Sequence, residues 1–234
     1  MGFPRAVISN SRAALTERGI EPSRRFVIVP NGIDTERFRP DADARMQVRD
    51  ELRVQHGERL VGCMARLDPV KDHHSMLRAM ALIAARRSEV RFVVVGAGSP
   101  GYDAELKDAA TELRIDTLVR WMGERADVER ILNALDVYVS ASTAEGFSNS
   151  LAESMACGVP PVVTDVGDSR DIVACHGTTV VPRNAQALTD GVIDWLDRDS
   201  PDLRCRRRDW IVQQFGVEQM VDRTLAVFAA ALSS

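Results

Sequence analysis

Ser140-Ala141-Ser142-Thr143-Ala144-Glu145-Gly146-Phe147-Ser148-Asn149-Ser150-Leu151-Ala152-Glu153-Ser154-Met155-Ala156-Cys157-Gly158-Val159-Pro160 is the stretch around which the rest of the chain is organised. The apolar run Val137-Tyr138-Val139 before it reads as a buried strand. Small and polar residues with Gly146 then make a loop. A helix is expected from Ser148 or Asn149 to Gly158, and Pro160 prevents its return. Gly146 lets backbone come close to a ligand. The first amides of such a helix lack partners within it and attract phosphate. Glu145 and Glu153 flank that helix start. Ionised carboxylates only accept hydrogen bonds, which suits hydroxyls. A local reading also stays open: Ser150-x-x-Glu153 has the form of a capping box, and Glu145 that of a solvated loop acid.

Upstream, the apolar residues 60–64 read as a central strand, followed by Ala65-Arg66-Leu67-Asp68-Pro69-Val70-Lys71-Asp72. A parallel α/β sheet gathers its ligands beyond the carboxyl ends of its strands. Arg66 and Lys71 fall there; an Arg grips phosphate with its fork and a Lys supplies a point charge. His73 and His74 open the next helix and are expected to be exposed first-turn residues without a metal.

Strand residues 91–95 lead into Gly96-Ala97-Gly98-Ser99-Pro100-Gly101, a literal G-x-G-x-x-G with Glu124 further on. This supports a rival reading as an NAD-binding oxidoreductase. Against it, Pro100 precedes the third glycine, and the helix is expected to start near Asp103. Complete strand–helix units also come before the phrase, and it leaves Arg66, Lys71, Glu145 and Glu153 without a role.

Taken together, Glu145-x7-Glu153 with Gly146-Phe147, the Met155 to Pro160 exit and the Arg66-x4-Lys71 loop resemble the retaining glycosyltransferases of group 1, the glycogen-synthase-like and mannosyltransferase-like enzymes. The phrase Val29-Pro30-Asn31-Gly32-Ile33-Asp34 is similar to one these enzymes carry just after their two domains connect. The resemblance implies an α/β fold: a Rossmann-like parallel sheet with helices on both faces, the C-terminal half of a GT-B fold. It implies that residues 1–20 are the end of an N-terminal acceptor domain. Residues 21–215 would bind the nucleotide sugar, and the helix in 216–234 would cross back to the N-terminal domain. Two departures stand out: Ala65 and Asp72 occupy positions where the family commonly has Gly. A third lies after the next strand, where Gly167 and Asp171 stand in for a G-G-x-x-E-x-V phrase.

By the same resemblance, Lys71, Arg66 and Glu145 are the expected catalytic residues. The expected nucleotide-sugar contacts are Arg66, Lys71, Gly146, Phe147, Ser148, Asn149, Ser150, Leu151 and Glu153, with Met122 and Arg125 by the base. For Met122, simple core packing is an equal alternative. No metal or other cofactor is expected; the substrate is a nucleotide sugar, with UDP as the default base. The expected partners are that donor, a glycan or lipid-linked acceptor and the N-terminal domain. The expected reaction is transfer of a hexose with retention. Three alternatives remain: a nucleotide-sugar-binding module inactive without its N-terminal domain, a sugar-nucleotide epimerase and the NAD enzyme.

Composition bounds these readings. The chain has 234 residues, 45% of them hydrophobic, enough for one large or two small domains. A net charge of −4 argues against a nucleic-acid partner. The four cysteines form no C-x-x-C pair and read as free thiols in a reducing, cytoplasmic compartment. No apolar run approaches the roughly 18 residues of a membrane span. The first residues do not form a secretory signal. The basic run at Arg204, Arg206, Arg207 and Arg208 reads either as contact with anionic lipid at the inner membrane face or as an interdomain face.

Overall fold

A computed structural model describes residues 5–232. Residues 1–4, where no leader was read, and residues 233–234 lie outside the described residues.

Six parallel strands form the main sheet: β3 (Arg59–Met64), β4 (Val90–Val95), β5 (Val119–Gly123), β6 (Val137–Ser140), β7 (Pro161–Thr164) and β8 (Thr178–Val180). Their spatial order is β5-β4-β3-β6-β7-β8. Alternate side chains of each strand feed opposite faces, and both faces are covered, so the strands read as unbroken apolar runs. Leu60, Met64, Val93 and Val95 enter one core, with α2 (Ala42–Glu51), α5 (Val128–Ala134), α6 (Asn149–Ala156), α7 (Ser169–Val173) and α9 (Pro201–Phe215) over it. Val61, Cys63, Phe92 and Val94 enter the other, under α3 (His73–Arg86), α4 (Pro100–Glu112) and α8 (Ala185–Arg198). This is a Rossmann-like α/β architecture.

One carboxylate fastens the amino-terminal edge of the sheet. Asp136 takes hydrogen bonds from Arg45 (2.7 Å), Arg49 (3.0 Å) and the Leu60 amide (2.7 Å), with Arg59 at 3.6 Å. Burial pushes its carboxyl pKa up. The Arg45 charge, the Leu60 amide and Arg49 outweigh that, and the net shift is downward.

A second, smaller layer consists of β1 (Val7–Ser9) and β2 (Phe26–Ile28), paired in parallel, with α1 (Arg12–Thr16) between them. β2 pairs with β1 and not with the main sheet. The change from one sheet to the other therefore falls after Ile28, and the expected domain boundary at residue 20 lies between α1 and β2. α10 (Val217–Leu232) starts at a bridge between Ile33 and Gly216 and returns along this layer, where Arg5 donates to the Ala231 carbonyl at 2.8 Å. Val221, Leu225 and Phe228 on α10 are exposed.

The arginines of α9 are engaged within the chain. Arg204 and Arg207 bind Asp199, and Arg206 binds Asp202. Arg208 donates to the carbonyls of Thr35, Phe38 and Ala156. Arg207 is wholly buried and so belongs to the structural seam, while Arg206 keeps most of its side chain exposed.

Candidate functional site

β3 lies inside the sheet, with β4 and β5 on one side and β6, β7 and β8 on the other. The switch point is therefore the crevice between the exits of β3 and β6, where such sheets bind ligands. The two exits are stitched together: the amide and hydroxyl of Thr143 both donate to the Val70 carbonyl, at 2.8 and 3.1 Å. Across this seam Lys71 Nζ meets Glu145 Oε1 at 2.6 Å, and Ser142 Oγ donates to the same oxygen at 2.7 Å. Both charged side chains are mostly shielded, with 19% and 14% of their surface exposed, so solvent screens the pair less than a surface one.

The β3 loop is shaped by two aspartates. Asp68 caps the short 3-10 turn Pro69–Lys71 through the Val70 amide, at 3.0 Å. Asp72 adopts the left-handed conformation, φ 45 and ψ 51, and accepts from the Ser75 amide as the cap of α3. Asp is one of the few residues besides Gly to visit that region. The departure from Gly thus preserves the turn that aims Lys71. Arg66 extends from the same loop, 78% exposed and 4.0 Å from Asp68.

His73 departs from expectation. It is wholly buried rather than exposed, edge-on to Tyr102 of α4, and burial pushes its pKa down to about 4. His74 behaves as read, at the surface, with Nε2 2.8 Å from Glu105.

α6 begins at Ser148, whose side chain makes no cap bond. No side chain therefore caps the first amides of α6, at Asn149, Ser150 and Leu151. The capping-box alternative fails, because Ser150 lies inside the helix and its hydroxyl pairs with Tyr138 at 2.9 Å. Asn149 accepts from Asn31 at 2.9 Å. Phe147 and Leu151 are core residues, Phe147 with its ring 5.5 Å from that of Phe215. Only their backbone can face a ligand. Glu153 sits one turn along α6 near Arg37 and Glu129. Burial raises its carboxyl pKa, with the Arg37 charge opposing.

The G-x-G phrase is explained by packing. A Cβ at Gly96 would lie 1.9 Å from the Ala65 carbonyl oxygen, and one at Gly98 2.2 Å from that of Leu67. These glycines let the β4 exit run against the β3 exit, where Leu67 and Gly98 form a parallel bridge. α4 starts at Pro100, earlier than the expected Asp103, with Pro in the first turn and Ser99 as cap. Gly101 is therefore helical, but a Cβ there would meet nothing within 4 Å. It lacks the tight helix–strand packing that the third glycine of a dinucleotide site provides.

At the β5 exit, Met122 packs partly buried against the core. Arg125 is held by Asp127 at 2.8 Å and Glu51 at 2.8 Å.

Arg66, Lys71, Glu145 and Gly146 line one open cleft of about 340 Å³, together with Ala14 of α1 and Glu17, the residue that ends it. A larger apolar hollow of about 600 Å³ between β2 and α10 carries none of the expected site residues. Of the five acids and cations read from sequence, Arg66, Lys71 and Glu145 share the cleft, while Glu153 on α6 and Arg125 beyond β5 stand apart from it. Two residues escaped the sequence reading. Glu17 lines the cleft from the C-terminal end of α1, just past its last residue, and Asp168 accepts from the Arg12 and Ala13 amides, each at 3.0 Å.

A parallel sheet with cations and an acid gathered at its switch point defines a Rossmann-like ligand-binding domain of the GT-B type. The chain belongs to the family "Glycosyl transferases group 1", whose model matches residues 45–210. It is 26% identical, over 88% of its length, to lipopolysaccharide core biosynthesis mannosyltransferase LpsB of Rhizobium meliloti, covering 61% of that protein. It is 29% identical, over 83% of its length, to the GDP-mannose-dependent alpha-(1-6)-phosphatidylinositol monomannoside mannosyltransferase of Mycobacterium tuberculosis, covering 53% of it. The structure of Anabaena Alr3699/HepE in complex with UDP superposes with a TM-score of 0.88 at 25% identity, over 97% of this chain and 64% of that one. The chain spans about half the length of the curated relatives it matches.

Proposed function

We propose that this chain is the donor-binding half of a retaining glycosyltransferase that moves a hexose from a nucleotide sugar to a glycan or lipid-linked acceptor. The observation that carries this is the meeting of Lys71, Arg66 and Glu145 in one cleft beside the uncapped start of α6. The UDP complex of the superposed protein and the GDP-mannose dependence of the mycobacterial relative support a nucleotide-sugar donor.

In this mechanism the bond between the anomeric carbon and the diphosphate oxygen breaks, a bond forms from the acceptor hydroxyl oxygen to that carbon, the hydroxyl proton passes to the departing diphosphate, and negative charge gathers on that leaving group. Lys71 and Arg66 neutralise it, and the Ser150 and Leu151 amides add to this. Glu153 accepts from the ribose hydroxyls. Glu145 orients the sugar and stabilises positive charge at its anomeric carbon. Met122 and Arg125 lie on the base side, with UDP as the default nucleotide. The side chains carry the charge compensation, so no metal cofactor is invoked. The reaction is assigned to the cytoplasmic side of the membrane, where a lipid-linked acceptor would be met. No helix among the described residues is long and apolar enough to cross a membrane.

A second reading is a module that binds the nucleotide sugar and turns it over only together with an N-terminal acceptor domain. A sugar-nucleotide epimerase would instead convert donor with no acceptor present. Titration with UDP, GDP and ADP in the absence of metal tests the donor site. If none binds more tightly than inorganic phosphate, the assignment is wrong. If one binds and Lys71→Ala leaves its affinity unchanged, the phosphate role of Lys71 is wrong.

A further inference from the structure

Asp168 joins two parts of the cleft that the chain keeps far apart. Its carboxylate sits on the start of α1, taking the Arg12 amide on one oxygen and the Ala13 amide on the other, each at 3.0 Å across more than 150 residues of sequence. The third first-turn amide, Ala14, is taken by the local cap Ser11 at 3.2 Å. A carboxylate is the favoured partner for a helix start, and such charged bonds are the stronger kind. Asp168 is itself buried.

The backbone around Asp168 holds the opposite wall. Its amide donates to the Gly146 carbonyl at 3.1 Å. Gly167 has φ +60, and a Cβ there would stand 2.4 Å from the Glu145 carbonyl oxygen. Ser11, wholly buried, lies against Gly146 from the other side. One residue thus fixes both the loop that carries Glu145 and the helix that brings Ala14 and Glu17 to the same cleft.

We infer that Asp168 is a positioning residue of the donor site: it seats α1 as the second wall of the cleft, over the place where the transferred sugar lies. This rests on the donor-site reading, and its ligand arm extends that reading to a residue that touches no substrate. Cutting the side chain leaves the Gly146 contact in place, because that contact is made by backbone. It releases α1 alone. Binding of the sugar portion should suffer, while binding of the diphosphate, gripped by Lys71 and Arg66, should not.

The test compares wild type with Asp168→Ala and the isosteric Asp168→Asn. Amide hydrogen exchange of residues 12–13 is read together with dissociation constants for UDP and UDP-glucose. Asn184→Ala, which removes the cap of α8 away from the cleft, controls for general loss of stability. Asp168→Ala should speed exchange at residues 12–13 by about tenfold or more, the scale of losing charged hydrogen bonds. It should also erase most of the affinity difference between UDP-glucose and UDP, with Asp168→Asn intermediate and Asn184→Ala like wild type. Unchanged exchange overturns the link to α1. Faster exchange with the UDP-glucose increment intact overturns the positioning role, as does an equal loss in Asn184→Ala. If wild type binds GDP or ADP in place of UDP, the comparison is read with that diphosphate and its sugar nucleotide; if it binds none of the three, the donor-site reading fails and the sugar-positioning role fails with it. Exchange then reports only on the Asp168 to α1 contact.

Discussion

Lys71 Nζ lies 2.6 Å from Glu145 Oε1, although 74 residues separate the two along the chain. The ammonium assigned to the diphosphate is thus paired with the carboxylate assigned to the sugar. A diphosphate entering the cleft competes with Glu145 for Lys71 and feels its negative charge.

Glu145→Gln is therefore expected to tighten binding of the preferred nucleoside diphosphate, by about threefold to tenfold, the effect of removing a like charge and freeing a partly shielded cation. Hexose transfer, measured with the complete enzyme, should fall at the same time. Weaker nucleotide binding by this variant in calorimetry would show that the pair organises Lys71 rather than competing for it.

Gly167→Ala should be destabilising by about 2 kcal/mol or more, because φ +60 and the approach of the Glu145 and Gly146 carbonyls both exclude a Cβ. Denaturant melts of this variant beside Gly101→Ala, where the space is open, check the claim. Equal stability of the two would refute it.

His73 makes the fold sensitive to mild acid. Burial lowers its pKa from 6.5 to about 4, the Lys71 charge adding to this, while the Asp68 carbonyl and the Asp72 carboxylate oppose. His74 also lowers it, and from α4 the Tyr102 ring is its facing group. Below the unfolded value the unfolded chain binds a proton that the native chain refuses, so stability falls as pH drops from about 6.5 toward 4. The loss attributable to His73 is about 3 kcal/mol at most. His73→Phe should have a shallower decline over that window in thermal melts. A slope identical to wild type would remove His73 from the acid response.

Asp136→Asn should cost about 3 kcal/mol, since it leaves Arg45, Arg49 and Arg59 around a buried site without their counter-charge. The seam lies at the opposite edge of the sheet from the cleft, so nucleotide affinity of the folded fraction should stay within about twofold of wild type. Urea melts and a UDP titration on the same preparation separate the two effects.

The inner strands were legible because they are covered on both faces, which turns them into apolar runs such as Val93-Val94-Val95, whereas the edge strands β5 and β8 are only partly buried. The Arg66–Lys71 loop and the Glu145 loop were legible as phrases that follow such runs. Their meeting follows from the sheet order, which sequence alone does not give but the family resemblance supplied. What stayed hidden depended on long-range packing. His73 looks exposed in a first turn until α4 covers it. Asp168 shows no signal, because the helix start it caps lies at the other end of the chain. Pro100 was read as delaying a helix, although the first turn is where proline fits best. Met122 and Arg125 could be placed at a strand exit and no further, since contacts made by backbone leave no side-chain trace.

Gly96 and Gly98 leave no room between the β4 exit and the carbonyls of Ala65 and Leu67. The segment bearing Arg66 is consequently no independent flap. Any hinge that swings it toward a bound donor must carry the neighbouring strand end along, so the mouth of the sheet opens and shuts as a double-thickness jaw.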